Sequence, residues 1–90
     1  MSLEHLVDSI LDNRVFVFKP YEKEKEKEIL ETFQKTGMKI YKIEKLGIYI
    51  AKIRDNLTEE EKQNLRGVLV NYKSVCFYEP LQKVYALNNQ

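Results

Sequence analysis

Between Arg14 and Leu87 the hydrophobic periodicity switches in the order strand, helix, strand, strand, helix, strand. No other feature constrains the fold as strongly. Helices alternating with strands in this way must bury their apolar stripes against one face of a sheet, which specifies an α+β sandwich. The same arrangement leaves the second sheet face to be accounted for.

The boundaries follow from local chemistry. Ser2 can cap a first short helix whose apolar positions Leu3, Leu6, Val7, Ile10 and Leu11 make one helical stripe. Arg14 to Lys19 alternates β-branched and aromatic residues and is closed by Pro20, as a strand would be. A helix is expected from Tyr21 to Thr36, with Gly37 as its C-terminal cap. Its first half alternates Glu and Lys from Glu22 to Glu28, which sets like charges at i,i+4 and opposite charges at i,i+3, so the gain largely cancels. That run reads as a solvated face, and Tyr21, Ile29, Leu30 and Phe33 are expected to dock the helix. Thr58-Glu59-Glu60-Glu61 is a capping box, followed by the stripe Leu65, Val68, Leu69 and Tyr72. Gly67 inside this helix predicts close backbone packing. Val75 to Glu79 reads as a fourth strand, Pro80 as a turn, Lys83 to Leu87 as a fifth, edge strand, and residues 88–90 as a frayed end.

Met38 to Glu44 and Ile48 to Arg54 read as a hairpin around the three residues Lys45-Leu46-Gly47. In that register Glu44 faces Ile48, Lys42 faces Ile50 and Ile40 faces Lys52. The uncharged set Tyr41, Ile43, Tyr49, Ala51 and Ile53 is then the core face. The open face is expected to carry Phe16, Phe18, Ile40, Ile48 and Ile50, rimmed by Lys42, Lys52 and Arg54. An apolar patch of that size implies a cover. The first helix can supply it, or a second copy can pack sheet to sheet, since two-fold dimers dominate soluble oligomers.

Chemistry is sparse. His5 is the lone histidine and Cys76 the lone cysteine, so no catalytic set, no soft-metal site and no intrachain disulfide is expected. Cys76 reads as a small core residue, and an enzymatic role is expected only if its thiol is exposed and acidic. Glu59, Glu60 and Glu61 fan apart on a helix and answer its dipole. Gly37, Gly47 and Gly67 stand alone, so no phosphate-cradling loop is present. No cofactor is expected. Fifteen basic against fourteen acidic residues leave a net charge of +1, which carries no general polyanion signal. Residues 13–20, 37–56 and 73–90 nevertheless sum to +2, +3 and +1, while the helical segments sum to −3, −1 and −1. A mildly basic sheet layer could orient a phosphate backbone.

The order of elements is that of the ferredoxin-like folds, which include RNA-recognition modules. Val15-Phe16-Val17-Phe18 resembles the shorter signature of those modules, and Lys45-Leu46-Gly47-Ile48-Tyr49-Ile50 resembles the longer one. With Gly47 matched to the motif glycine, the stacking positions are Ile48 and Ile50, and an aliphatic side chain cannot stack a base.

These readings predict one α+β domain over residues 1–90: a ferredoxin-like split β-α-β-β-α-β sandwich with an extra N-terminal helix and a C-terminal edge strand. Residues 1–13 would cover the sheet or swap in a dimer. The expected role is a small non-enzymatic interaction or regulatory module, homodimeric through its apolar sheet face. The alternative is weak single-stranded RNA or DNA binding through Phe16, Lys42, Lys52 and Arg54. No stretch approaches the roughly 18–20 apolar residues of a membrane span and no signal peptide is visible, so a cytoplasmic location without membrane contact is expected.

Overall fold

The computed structural model describes residues 2–81. The Ser2 hydroxyl accepts a hydrogen bond from the His5 N–H at 3.2 Å and starts helix α1 (Leu3–Asn13), which buries Val7 and Ile10. Arg14 closes the helix in the left-handed conformation, φ 63°, its N–H bonded to the Ile10 carbonyl at 2.8 Å. This one residue turns the chain directly into strand β1 (Val15–Pro20). A 3-10 turn at Lys23–Lys25 leads into α2 (Glu26–Lys35), followed by β2 (Lys39–Ile43), β3 (Ile48–Lys52), α3 (Glu59–Tyr72), a second 3-10 turn at Lys73–Val75 and β4 (Cys76–Pro80). The fold is α+β. The strand expected over Lys83 to Leu87 and the frayed end lie outside the described residues. No helix among the described residues is long and apolar enough to cross a membrane.

The four strands run in the order β2-β3-β1-β4, each antiparallel to its neighbours. All three helices pack on one face. Residue Arg66 of α3 reaches Asp8 of α1 at 2.7 Å. Tyr72 of α3 donates to Glu28 of α2 at 2.8 Å, and its hydroxyl lies 3.2 Å from that of Thr32. Helix α1 therefore joins the helix layer of its own chain, with Val7 and Ile10 in the same core as Leu65 and Leu69. It does not cover the opposite sheet face, because its stripe is satisfied beside α3.

The capping box forms as the sequence indicates. Thr58 Oγ1 accepts the Glu61 N–H at 3.1 Å, and a Glu61 carboxylate oxygen accepts the Thr58 N–H at 2.9 Å. Two expectations around the helices fail. Tyr21 precedes α2 and is 59% exposed, so Ile29 and Phe33, with Leu30 beside them, dock that helix without it. A Cβ on Gly67 would meet nothing within 4 Å, so that glycine marks no close approach and costs α3 about 1 kcal/mol against Ala.

The core is largely aromatic. Phe18 stacks on Tyr49 at 5.1 Å between ring centroids and meets Phe33 edge-on at 4.9 Å, while Phe16 meets Tyr78 edge-on at 5.6 Å. Phe16 and Phe18 are completely buried under the helices. Their expected place on the open face is corrected. The run from Val15 to Phe18 is apolar on both faces, and the larger side chains fill the thicker helix-side layer, as jigsaw packing favours.

The hairpin is also corrected. Ile43 pairs with Ile48, so four residues, Glu44 to Gly47, make the loop. The N–H groups of Leu46 and Gly47 both bond to the Ile43 carbonyl, at 3.1 and 2.9 Å, and Gly47 takes φ 64°. One residue more in the loop moves every β2 side chain to the other face. Ile40 and Lys42 thus stand on the helix side opposite Ala51 and Tyr49, and Tyr41 and Ile43 stand on the open side opposite Ile50 and Ile48. The assignment of Tyr49, Ala51 and Ile53 to the core holds.

Candidate functional site

The sheet face away from the helices is defined by the strand pairings. Its first row runs Lys39, Lys52 and Val15, with Leu81 beyond, whose N–H bonds to the Val15 carbonyl at 2.9 Å. The middle row runs Tyr41, Ile50, Val17 and Glu79. The third carries Ile43 opposite Ile48, and Lys19 opposite Phe77. Period-two alternation fixes which residues share this face once one pairing per strand is known.

The two central strands supply only aliphatic side chains in the middle of the face: Val15, Val17, Ile48 and Ile50, all half-buried. The outer strands supply the exposed aromatics, Tyr41 at 53% and Phe77 at 41%. The charges Lys39, Lys52, Lys19 and Glu79 stand at the perimeter. Among the described residues none of these four makes an ion pair. Lys39 and Lys52 are direct cross-strand partners, an arrangement that costs rather than contributes stability in the free chain.

Of the expected interaction residues, the structure brings only Ile48 and Ile50 to this face. Phe16 and Phe18 are core, and Ile40 packs against the core from the helix side. Of the expected nucleic-acid contacts, only Lys52 is here. Phe16 is buried. Lys42 sits on the helix side, 5.7 Å over the Tyr49 ring. Arg54 lies beyond β3 and is bonded to Glu61 at the start of α3. Val15, Val17, Tyr41, Ile43, Phe77 and Lys39 belong to the face and were not anticipated. An alternating strand in which every residue is apolar gives no signal for choosing between its two faces.

Cys76 occupies the helix side of β4 and is buried, its thiol donating weakly to the Phe77 carbonyl at 3.7 Å. Burial pushes its pKa up to about 12, so the thiolate a nucleophile requires is suppressed. Tyr78 is buried beside it, its hydroxyl without a hydrogen-bond partner among the described residues, and burial holds that phenol protonated. The Glu61 carboxyl is held below its ordinary range, chiefly by the Thr58 N–H and further by Arg54. These groups belong to the helix layer and not to the open face.

Comparison with family models, with curated proteins and with solved structures finds no match to this chain.

Proposed function

We propose that the chain is a small non-enzymatic interaction module that self-associates through the open face of its sheet. The observation that carries this is the contiguous aliphatic block Val15, Val17, Ile48 and Ile50 across two central strands, with charges confined to the perimeter. A dry centre with a polar rim is the composition of a protein–protein contact. A second copy suits it because the patch is apolar at its middle and two-fold dimers dominate soluble oligomers. Nothing at that middle could stack a base.

Size sets the strength. Four strands and about five residues per strand give a footprint of about 19 by 17 Å. That is below the roughly 800 Å² per partner of a standard interface, so a weak, reversible dimer follows. The element order together with the strand order β2-β3-β1-β4 supports a ferredoxin-like reading of the fold, and a free buried thiol suits a reducing compartment such as the cytoplasm.

Sedimentation velocity over a concentration series tests the proposal. The expected result is a monomer–dimer equilibrium that Ile50→Asp or Ile48→Asp shifts to monomer while the far-ultraviolet dichroism is kept. A chain that stays monomeric to millimolar concentration overturns it, as does a dimer indifferent to both substitutions.

A second reading, single-stranded nucleic-acid binding on the same face, is favoured by one observation. Lys39 and Lys52 are uncompensated neighbours there, beside the exposed rings of Tyr41 and Phe77. It predicts salt-dependent binding lost on Lys52→Ala and Tyr41→Ala. Absent or salt-insensitive binding removes it.

A further inference from the structure

One cleft has a composition that neither the packing of the core nor self-association explains. It lies where β1 ends beside the β2–β3 loop, has a volume of about 340 Å³, and is lined by Lys19, Tyr21, Lys23, Glu26, Lys42 and Tyr49, with Gly47 at its edge. That volume is at the lower end of the roughly 300–1,000 Å³ typical of small-molecule sites.

Its charge is unbalanced. Lys19, Lys23 and Lys42 all line it against the single carboxylate of Glu26, Lys42 from the helix side of the sheet and Lys19 from the strand end that borders the open face. Among the described residues Lys19 and Lys23 make no ion pair, and Lys42 has only a long, exposed contact with Glu44 at 3.9 Å, which neutralises little. A concave surface of one sign concentrates its own field and draws in the opposite charge. Lys42 is also placed, since its ammonium lies 5.7 Å over the ring of Tyr49. That ring is 5% exposed and stacked on Phe18, so the platform beneath the lysine is fixed by the core.

Tyr21 adds a second, independent element. Its backbone is anchored, because Pro20 precedes it and its own N–H bonds to the Val75 carbonyl at 3.0 Å. Its ring is nevertheless among the most exposed large side chains described. An anchored backbone carrying a free aromatic ring at the rim of a cationic cleft suits a ligand that is a planar ring at one end and an anion at the other. Gly47 has open space at its Cβ position and leaves the hairpin side of the cleft unobstructed.

We propose that this cleft binds a nucleoside monophosphate, with the phosphate held by Lys23 and Lys42 and the base stacked on Tyr21. The phosphate is close to a dianion at neutral pH and becomes a monoanion below about pH 6, so affinity falls through that range. The site is separate from the centre of the open sheet face, which it meets only at Lys19.

The test is an amide NMR titration of the full chain with adenosine monophosphate and, in parallel, with inorganic phosphate. Saturable shifts are expected at Tyr21, Lys23, Lys42 and Gly47. Tyr21→Ala should weaken the nucleotide about tenfold and leave inorganic phosphate unchanged, by loss of stacking. Lys23→Met and Lys42→Met should each weaken both ligands about tenfold, by loss of a charge-assisted contact. All three residues are at the surface, so native spectra of the variants verify their folding. Silence at millimolar nucleotide overturns the proposal. So do shifts confined to the open face, or equal binding of phosphate and nucleotide that Tyr21→Ala does not change.

Discussion

Tyr41 stands directly across the β2–β3 ladder from Ile50, on the sheet face away from the three described helices. Its neighbour Ile40 points the other way and meets Ala51 beneath the helices. Both residues carry bulky, mainly apolar side chains, yet the hairpin gives them opposite environments. A one-residue change in loop length is responsible, since Ile43 closes the hairpin with Ile48.

This relationship gives the sharpest test of the fold. Ile40→Asp places an unpaired carboxylate against the core and should cost about 2–4 kcal/mol. Tyr41→Lys, one position away, should change stability by less than about 1 kcal/mol and act on association instead. Urea unfolding of the two variants measures both, and reversed magnitudes would mean the other register.

The buried hydroxyl of Tyr78 has no partner among the described residues. Removing it as Tyr78→Phe keeps the ring packed against Phe16 and relieves an unsatisfied polar group. The expected outcome is a gain of about 1 kcal/mol, read as a higher midpoint of thermal or urea unfolding. A clear loss of stability would show that the hydroxyl is bonded in solution.

Helix α3 begins on a reciprocal cap that titrates. The Glu61 carboxyl is depressed in the folded chain, first by the Thr58 N–H and then by Arg54. A depressed acid contributes stability above its unfolded value of 4.5 and loses it as the pH falls through the lower folded value. Thermal midpoints from pH 7 down to pH 3 should therefore fall less in Glu61→Gln than in the parent chain. Thr58→Ala should cost about 1 kcal/mol at neutral pH.

Cys76 should be inert to iodoacetamide in the native state at pH 8 and react readily in denaturant. Its folded pKa is about 12 against an ordinary 9.0, so it contributes stability below pH 9 that is lost as the pH rises towards 12. Mass spectrometry of the alkylated protein gives the rate. A native rate equal to the unfolded one would place the thiol at the surface.

Much of this fold is legible in the chain alone, because its signals are local. Ser2 before the Leu3 stripe, the Thr58–Glu61 box and Gly37 in its left-handed position mark helix ends by hydrogen bonds within one turn. In β3, Tyr49 and Ala51 alternate with Ile48, Ile50 and the charged Lys52, and the core side of that strand is read correctly. The open face was less legible. Two of its five expected apolar residues, Ile48 and Ile50, are there, while Val15, Val17, Tyr41, Ile43 and Phe77 replace the others.

The sequence by itself determined the order of the helices and strands of the described residues and most of their ends to within a residue, α2 excepted, which begins at Glu26 rather than at Tyr21. Tertiary structure alone decided which residues make the open sheet face. In Val15-Phe16-Val17-Phe18 and in Ile40-Tyr41, both alternating sets are apolar, so alternation separates two faces without saying which one the helices will cover. That choice was made by the volume of Phe16 and Phe18 against Phe33 and Tyr78, and by one residue of loop between Ile43 and Ile48. Packing volume and register are properties of the assembled sandwich, and no single strand carries them.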